Sequence, residues 1–499
     1  NGTNMTPSFA VGSNDETLTI ASSAHLAGST LNGGGGSDTI VAPDGSDFTT
    51  ATTLTGFETL TLTANAGVTM SETQHDGFST INGNTGTESI TLSSANGDGA
   101  VTGNPDIETY TLNAGFTFTL GAAGQNVTGS AGADQAVQSS ASIDTLTGTL
   151  NGGAGGSDTL VLDTGDNIAG ATVTNFETLT LSGGASVTMT EAQHDAFSSV
   201  VGPGTDTITI SAATNGFATQ SAIENYALSV ANACTVTGGA QNITGSGGND
   251  TVTFQGLTYT GTLSGGAGTD VIQMTSGSDI SGATISGVEN LTLASGASVT
   301  MTAAQLQGFG GTITAGGSET IVLTTSGTIS GAGLGAIETV ATAGDGLAQT
   351  VTLTAAEASG KALVAGDVGL DGFVIEASSG AEILSVSDGR DTVFGGEGDD
   401  LIHGNGGDDR LYGDLGSDTV YGGDGNDTLY GEGGNDSLFA GTGSDLLYGG
   451  NGADRFFVPG QSATGASHAI GDYAPDQDTI ILHGASAASI LTATSMGSD

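Results

Sequence analysis

Basic residues are almost absent from this chain of 499 residues, which has four Lys and Arg against 53 Asp and Glu and a net charge of −49. The four cations all come late in the chain, at Lys361, Arg390, Arg410 and Arg455. This balance excludes a nucleic-acid partner, because almost nothing could neutralise the phosphates. It also excludes docking on an anionic membrane through a basic patch. Polyvalent cations are the partners that such a field attracts.

Several other residue types are scarce. Trp is absent, Pro occurs six times, and Cys234 is the only cysteine, so no internal disulfide can form. We expect Cys234, in the context ANACTVT, to be a small core residue rather than a reactive thiol. No run approaches the ~18 apolar residues of a membrane span, so membrane insertion is not expected. No signal peptide is evident, and because the chain opens at Asn1 without Met we expect a fragment.

The residues that are abundant favour a folded β protein. High acidity is also typical of disordered chains, but 36% of the residues are hydrophobic and the mean hydropathy is +0.06. The 88 glycines, together with many Thr, Ser, Ala and Val, favour short strands and tight turns rather than helices.

Residues 395–457 divide without remainder into seven nine-residue units, each with glycine in fourth place and aspartate in sixth. A divergent eighth unit, VSDGRDTVF, precedes them. The aspartates of these eight units are Asp391, Asp400, Asp409, Asp418, Asp427, Asp436, Asp445 and Asp454. The first six positions predict a sharp turn, for which glycine is suited, and the last three predict a short strand. Its middle residue should face the core, at Ile402, Leu411, Val420, Leu429, Leu438, Leu447 and Phe456.

A disordered glycine-rich linker is the alternative reading, but a linker would have no reason to keep Asp in step with an apolar residue two places later. If successive turns lie on opposite sides of a roll, aspartates 18 residues apart stack on one edge. Each stacked pair, together with backbone carbonyls of the turns, would offer an all-oxygen site of the kind that calcium prefers. Six adjacent pairs exist, so we expect about six ions.

These units read G-G-x-G-x-D-x-U-x, where U is an apolar residue, and resemble the calcium-binding nonapeptides of the RTX family. The resemblance implies an all-β protein, a parallel β-helix or β-solenoid that ends in a calcium-binding parallel β-roll. The segment IGDYAPDQDTIILHG resembles the part that closes such arrays in type I secreted bacterial proteins. There Arg455 should lie near the cap, and Asp472, Asp476 and Asp478 are turn or metal-ligand candidates.

A longer repeat precedes the nonapeptides. Its three copies contain the segments GFETLTL, NFETLTL and GVENLTL, which are followed by Met70, Met189 and Met301 at intervals of 119 and 112 residues. Within each copy, runs of alternating apolar and small polar residues such as TDTITISA predict strands. Repeated strands without helical patterns indicate a β-solenoid. The sequence predicts seven segments. They are a leading segment (1–28), three solenoid repeats (29–145, 146–262 and 263–360), transition strands (361–394), an RTX β-roll (395–457) and a C-terminal cap or secretion-signal region (458–499).

Isolated nonapeptide-like units punctuate the upstream repeats, and their acids are Asp38, Asp134, Asp158, Asp250 and Asp270. They are candidate calcium ligands, although a lone unit has no stacked neighbour in sequence and a Gly-Ser-Asp turn can also close a corner without metal. Two His-Asp pairs, at His75 and His194, look like acid–base pairs, but the third repeat has Leu306-Gln307 there. We therefore expect a repeat-surface feature rather than catalysis. The other histidines, at His25, His403, His468 and His483, show no ligand spacing.

The upstream ladder resembles, less specifically, the lattice-forming parts of calcium-dependent RTX surface-layer (S-layer) proteins of Gram-negative bacteria. That resemblance implies a secreted, non-enzymatic structural protein that self-assembles on the cell surface after type I secretion. Surface polysaccharide or lipopolysaccharide is a further candidate partner. An RTX adhesin or glycan-binding module is the main alternative, although aromatic residues, on which sugars stack, make up only 5% of the chain. Ice binding by the Thr-rich ladder is a further alternative. An RTX enzyme is disfavoured because neither H-E-x-x-H nor G-x-S-x-G occurs.

Overall fold

The computed structural model describes residues 8–22, 26–84, 86–94, 100–138, 144–212, 215–329, 334, 337–344, 349–354, 362–364, 371–377, 379–459 and 467–484. It comprises two compact units: Asn1–Cys234 with Gln241–Gly247, and Thr235–Ala240 with Gly248–Asp499. The expectations for Lys361, for His25 and for parts of the leading segment and the C-terminal cap fall on residues outside the described ranges.

Both units are parallel β-solenoids, and the fold class expected from the sequence is confirmed. Their strands follow from the alternation of Thr with aliphatic residues. In Thr59–Leu62, both leucines are buried and both threonines are half-buried. Consecutive rungs keep the apolar residues in line, so that Leu160 pairs with Leu179 and Leu162 with Leu181. Each rung therefore covers the apolar row of the next, as in other stacked repeat folds.

The strands of the first unit are Ser8–Ala10, Thr17–Thr19, Thr30–Asn32, Thr39–Ala42, Ser46–Asp47, Thr53–Thr55, Thr59–Leu62, Gly67–Met70, Thr80–Asn82, Ser89–Leu92, Ala100–Thr102, Thr109–Leu112, Thr117–Thr119, Asn126–Thr128, Gln135–Val137, Thr149–Asn151, Thr159–Leu162, Thr172–Thr174, Thr178–Leu181, Ser186–Met189, Ser199–Val201, Thr207–Ile210, Phe217–Ala218, Asn225–Leu228 and Asn242–Thr244. The strand Ala233–Val236 contains the sequence boundary of the units, and Cys234 is buried in it, as expected.

The strands of the second unit are Thr251–Phe254, Thr262–Ser264, Val271–Met274, Thr284–Ser286, Asn290–Leu293, Ser298–Met301, Ile313–Thr314, Thr320–Leu323, Gly327–Ile329, Thr339–Thr342, Thr350–Thr354, Ala362–Val364, Gly372–Glu376, Ile383–Ser385, Thr392–Phe394, Leu401–His403, Arg410–Tyr412, Thr419–Asp424, Thr428–Tyr430, Ser437–Thr442, Leu446–Tyr448, Arg455–Pro459, Ala469–Ile470 and Thr479–His483.

Three short helices interrupt the strands at equivalent points of the long repeats, and a 3-10 turn covers Phe48–Thr50. They are α1 (Glu72–Asp76), α2 (Glu191–Ala196) and α3 (Ala303–Gly308). The sequence interpretation missed them, although each begins with a capping box, a Ser or Thr followed three residues later by Gln. Among the described residues, no helix has the length and apolar character that a membrane crossing requires.

The nonapeptide units of the second unit alternate between two parallel sheets, one of eight strands and one of six. Their seven predicted core residues, from Ile402 to Phe456, are all fully buried, as expected. Each turn places its second and fourth residues at positive φ. The fourth is always glycine, such as Gly416 at +149° and Gly434 at +143°, whereas Asn405, Asp414 and Glu432 occupy the second place in three units. The turns thus stack tightly and bring the sixth residues of alternate units together.

Candidate metal centre

Two rows of buried aspartates run along the edges of the roll. Within a row, the backbone N–H of each aspartate donates to Oδ1 of the aspartate 18 residues later, as in the 2.8 Å contact from Asp400 to Asp418 and the 3.0 Å contact from Asp409 to Asp427. The same bond joins Asp391 to Asp409, Asp418 to Asp436, Asp427 to Asp445 and Asp436 to Asp454. The structure therefore brings together the two rows that the sequence predicts. Their role as metal ligands stays a prediction.

The second carboxylate oxygen of most of these aspartates is buried and has no hydrogen-bond partner. This holds for Oδ2 of Asp400, Asp409, Asp418, Asp427, Asp436 and Asp454. Each such oxygen points into its own turn: a Cβ built on Gly395 would lie 2.7 Å from Asp400 Oδ2, and one built on Gly404 would lie 2.5 Å from Asp409 Oδ2. A buried carboxylate oxygen without a donor is strongly destabilising, so these positions call for a cation, a proton or an ordered water.

Burial raises the pKa of Asp391, Asp409, Asp418, Asp427, Asp436, Asp445 and Asp454, and the neighbouring carboxylates of a row raise several of these values further. The pKa reaches about 8 at Asp409, about 7 at Asp418, Asp427 and Asp445, and about 6 at Asp391 and Asp436. Among the described residues no Lys or Arg forms an ion pair with these carboxylates; the ion pairs there join His and Asp, and one of them is His468 with Asp445. The rows are therefore poorly suited to carry full charge unless a cation neutralises them.

The donor set fits calcium. Among the described residues, no three His, Cys, Asp or Glu side chains come together as a complete metal site, so any ion must also use backbone oxygens, as the sequence predicts. The residues that would hold the ions are the stacked aspartates, through Oδ2, with carbonyls of the glycine turns. Calcium accepts such flexible all-oxygen sets, whereas Mg²⁺ keeps a strict octahedron. A bound ion would neutralise the carboxylates and link successive turns.

The stability of the metal-free roll should depend on pH in the direction that these pKa shifts dictate. Between the unfolded value of about 3.9 and the folded values of about 6 to 8, the folded roll binds more protons than the unfolded chain. Its contribution to stability is present below about pH 4 and is lost as the pH rises towards 8. Urea unfolding of calcium-free protein from pH 4.5 to 8 should show a falling midpoint, and a constant or rising midpoint would contradict the raised values.

Two members of the rows have their Oδ2 engaged by protein groups. Ser387 donates to Asp391 Oδ2 through its backbone N–H at 3.1 Å and its hydroxyl at 3.0 Å. His468 Nδ1 lies 2.9 Å from Asp445 Oδ2, a contact that the spacing of the histidines in the sequence does not indicate. No sequence pattern indicates this contact, because His468 lies beyond the last nonapeptide.

The cap continues one aspartate row by hydrogen bonds. Asp478 Oδ1 accepts from Asp454 N at 3.0 Å, and its Oδ2 accepts from Ala474 N at 2.7 Å. Asp472 accepts from Gly449 N and Gly450 N. Asp472 and Asp478 are thus turn-closing residues, whereas Asp476 is exposed. Arg455 opens the strand that pairs with Thr479–His483 of the cap, near the place that the resemblance implies.

Four of the five upstream aspartates are stacked in space, although a lone unit has no stacked neighbour in sequence. Asp134 N donates to Asp158 Oδ1 at 2.8 Å, and Asp250 N donates to Asp270 Oδ1 at 2.7 Å. The stacking was hidden because the two acids are 24 and 20 residues apart rather than 18. Asp38, Asp158 and Asp270 each keep a buried Oδ2 without a partner. They share this feature with the row aspartates.

Sequence reasoning missed the glutamates that extend these stacks. Glu58, Glu177 and Glu289 accept, through Oε2, from the backbone N–H of Asp38, Asp158 and Asp270 at 2.8 to 2.9 Å. All three belong to the FETLTL and VENLTL segments that define the long repeat. Their place about 20 residues after a Gly-x-Asp turn was the available signal.

Asp134 differs from Asp38, Asp158 and Asp270. Its Oδ1 accepts from Phe116 N at 2.9 Å, and its Oδ2 accepts both the backbone N–H and the hydroxyl of Ser130, at 2.7 and 2.8 Å. The second place of its turn holds Ser instead of Gly, as in the Asp391 unit. A serine in the second place of the turn therefore supplies hydrogen bonds to Oδ2, which a glycine in that place cannot supply with a side chain.

The histidines of the two His-Asp pairs are buried, whereas Asp76 and Asp195 are exposed, so the surface feature expected at these pairs is formed by the aspartates alone. His194 is fully buried, with Nδ1 3.0 Å from Asp195 Oδ1 and Nε2 3.2 Å from the Tyr226 hydroxyl, which also accepts from Gln220 N. His75 and Tyr110 repeat the arrangement. The third repeat has Leu306 and Val340 at the corresponding positions, both fully buried. The pair thus packs the core of each repeat.

The losses of stability caused by replacing His194 and Tyr226 with the apolar residues of the third repeat should be coupled. Replacing His194 by Leu removes the histidine partner of the Tyr226 hydroxyl, and replacing Tyr226 by Val removes the partner of His194 Nε2. Each single change should destabilise the protein by about 1–3 kcal/mol. The double variant H194L/Y226V copies the third repeat and should lose less than the sum of the single losses. Thermal unfolding of the three variants measures this, and strictly additive losses would contradict a direct pair.

Stacked glycine turns, two rows of buried carboxylates and all-oxygen donors define a calcium-binding parallel β-roll. The family model for the RTX calcium-binding nonapeptide repeat (4 copies) matches residues 29–49, 376–411, 385–420, 403–438 and 421–456. A search of the curated proteins found no match to the chain. The chain carries RTX repeats, which bind several calcium ions and mark a secreted, extracellular protein. The match indicates no enzymatic family.

Proposed function

We propose that the protein is a non-enzymatic structural subunit of the Gram-negative cell surface, which assembles into an S-layer-type lattice with calcium after type I secretion. The observation that carries this proposal is the threefold recurrence of one surface module. Each of α1, α2 and α3 follows a strand that ends in a buried Met and begins with the same capping box. A regular building block needs such repeated surfaces, whereas an active site does not.

The modules also share a clamp that fixes each helix to a neighbouring rung. The side-chain amide of Gln74 donates to Phe48 O at 2.8 Å, and that of Gln193 donates to Ile168 O at 2.7 Å. The amide of Gln305 donates to Ile280 O at 2.6 Å. The same contact therefore holds the helix in the same pose in each repeat, which supports repeated lattice contacts.

Charge supports calcium as the link between subunits. Two copies of a chain with a net charge of −49 repel each other. Arginine side chains that could bridge them are few, and Arg390, Arg410 and Arg455 all lie in or beside the roll. Divalent cations would offset this repulsion, so we expect assembly to require calcium as well as folding.

Two aromatic ladders on the roll count against the glycan-binding alternative. Phe394, Tyr412, Tyr430 and Tyr448 stack with ring centroids 4.5 to 5.0 Å apart and planes within 12°. His403, Tyr421, Phe439 and Phe457 stack at 4.0 to 4.7 Å. The ring faces cover one another, so inner rings offer only edges to a sugar. The ladders stabilise adjacent strands instead.

Electron microscopy of the purified chain tests the proposal. With millimolar calcium we expect ordered two-dimensional sheets that dissolve when chelator is added and do not form when magnesium replaces calcium. The magnesium sample is the control for simple charge screening. Particles that stay monomeric in calcium and bind a surface glycan would contradict the lattice and favour an adhesin.

A further inference from the structure

The turn at residues 202–206 closes on a buried aspartate although it lies outside every nonapeptide motif. Its sequence, GPGTD, is one residue shorter than a GGxGxD turn, and the strand Thr207–Ile210 follows it. Asp206 is fully buried. Gly204 has φ of +123°, the left-handed conformation of the fourth glycine in the roll units. The turn thus reproduces the end of a roll turn with a different sequence.

The hydrogen bonds of Asp206 match those of Asp270 atom for atom. Asp206 Oδ1 accepts from Ala185 N at 2.7 Å, and Asp206 N donates to Glu224 Oε2 at 2.9 Å. At Asp270, Oδ1 accepts from Asp250 N at 2.7 Å, and the backbone N–H donates to Glu289 Oε2 at 2.9 Å. Asp206 therefore occupies the same place in a carboxylate stack as an aspartate of a recognised nonapeptide unit.

The second oxygen of Asp206 points into the turn and has no donor. Asp206 Oδ2 is buried and has no hydrogen-bond partner in the part of the chain that the structure describes. A Cβ built on Gly202 would overlap this oxygen, and a Cβ built on Gly265 would lie 2.6 Å from Asp270 Oδ2. The glycine thus leaves space beside the carboxylate in both turns. Asp134 provides the contrast, because Ser130 fills the corresponding role with two hydrogen bonds.

We infer that Asp206 binds a calcium ion through Oδ2, together with backbone oxygens of the stacked turns. A buried, donorless carboxylate oxygen requires a cation, a proton or an ordered water. A hard divalent cation fits best, because a carboxylate oxygen and backbone carbonyl oxygens are the ligands that Ca²⁺ prefers. This inference rests on calcium binding by the chain but not on lattice assembly.

Ion counting by native mass spectrometry of the full chain in calcium tests the inference. D206N keeps an Oδ1 acceptor for Ala185 N, and we expect it to bind one ion fewer than the wild type. D134N is the matched control and should keep the wild-type count, whereas D427N in the roll should lose at least one ion. An unchanged count for D206N beside a reduced count for D427N would overturn the inference and leave calcium binding by the roll intact.

A measurement on the wild type removes any dependence on how the variant folds. Anomalous diffraction from calcium-grown crystals should show a peak about 2.3–2.6 Å from Asp206 Oδ2. A water without anomalous signal, or no density, at that position would overturn the inference, provided that the roll shows peaks in the same map.

Discussion

Chelation of calcium is expected to unfold residues 391–457 before the rest of the described chain. In this segment six buried Oδ2 atoms lack a donor among the described residues, and its turns gain little from apolar packing because most nonapeptides fully bury a single apolar side chain. Upstream rungs bury larger side chains, such as Tyr110, Phe118 and Phe254, which do not depend on metal. Hydrogen exchange in excess chelator should show loss of protection in the roll first.

The stabilisation that calcium is expected to give the folded roll follows from mass action. An ion that binds only the folded state, at ten times its dissociation constant, adds about 1.4 kcal/mol per site, and extracellular modules bind calcium with constants of ~0.1–1 mM. Several sites together decide whether the roll folds, since domains are stable by only about 5–15 kcal/mol. Retention of the roll's protection and β circular dichroism in chelator would contradict this account. The same arithmetic predicts that the nonapeptides stay unfolded at cytosolic calcium and fold after export.

Replacing Gly434 by Ala is expected to disrupt the roll, whereas the same change at Gly433 is not. Gly434 has φ of +143°, and an added Cβ would overlap the carbonyl oxygen of Gly416 in the turn below. Strain at such a φ alone costs about 1–3 kcal/mol, and the overlap adds to it because the turns cannot separate. The Cβ at Gly433 would meet the end of the exposed Leu415 side chain at 3.2 Å, which can move away.

Calcium titrations monitored by circular dichroism compare the two variants, which differ by one position in one turn. G434A should need several-fold more calcium than the wild type to fold or should fail to fold, and G433A should follow the wild type closely. Equal behaviour of both variants would show that the turns are not closely stacked. Glu432→Gly provides a further control, because Glu432 has φ of +70° and glycine relieves that strain.

The roll could be predicted from the sequence because its information is local and strictly periodic. A fixed repeat of nine residues sets the register, so Asp409 and Asp427 must stack and Leu411 must face the core. Upstream the rungs vary in length, and bonded acids lie 18 to 24 residues apart. The partners of Asp158 and Asp206 therefore depend on which rung follows, which spacing alone does not reveal.

The histidine pairs and the helices illustrate a second limit. His75 is next to Asp76 in sequence, but its buried partner Tyr110 lies 35 residues away, so its place in the core is a tertiary property. The helices are only five or six residues long, too short for an amphipathic period to identify them. Only their capping boxes were visible, and such boxes are brief signals in a Thr-rich chain.

The central claim is that stacked, buried aspartates hold calcium along both edges of the roll. Long-wavelength anomalous diffraction from crystals grown in calcium tests it most directly, because it locates each ion against named oxygens. We predict peaks beside Oδ2 of Asp400, Asp409, Asp418, Asp427 and Asp436, with about six ions in the roll. A map with no peaks in these turns, or with peaks only at exposed carboxylates such as Asp476, would contradict the account.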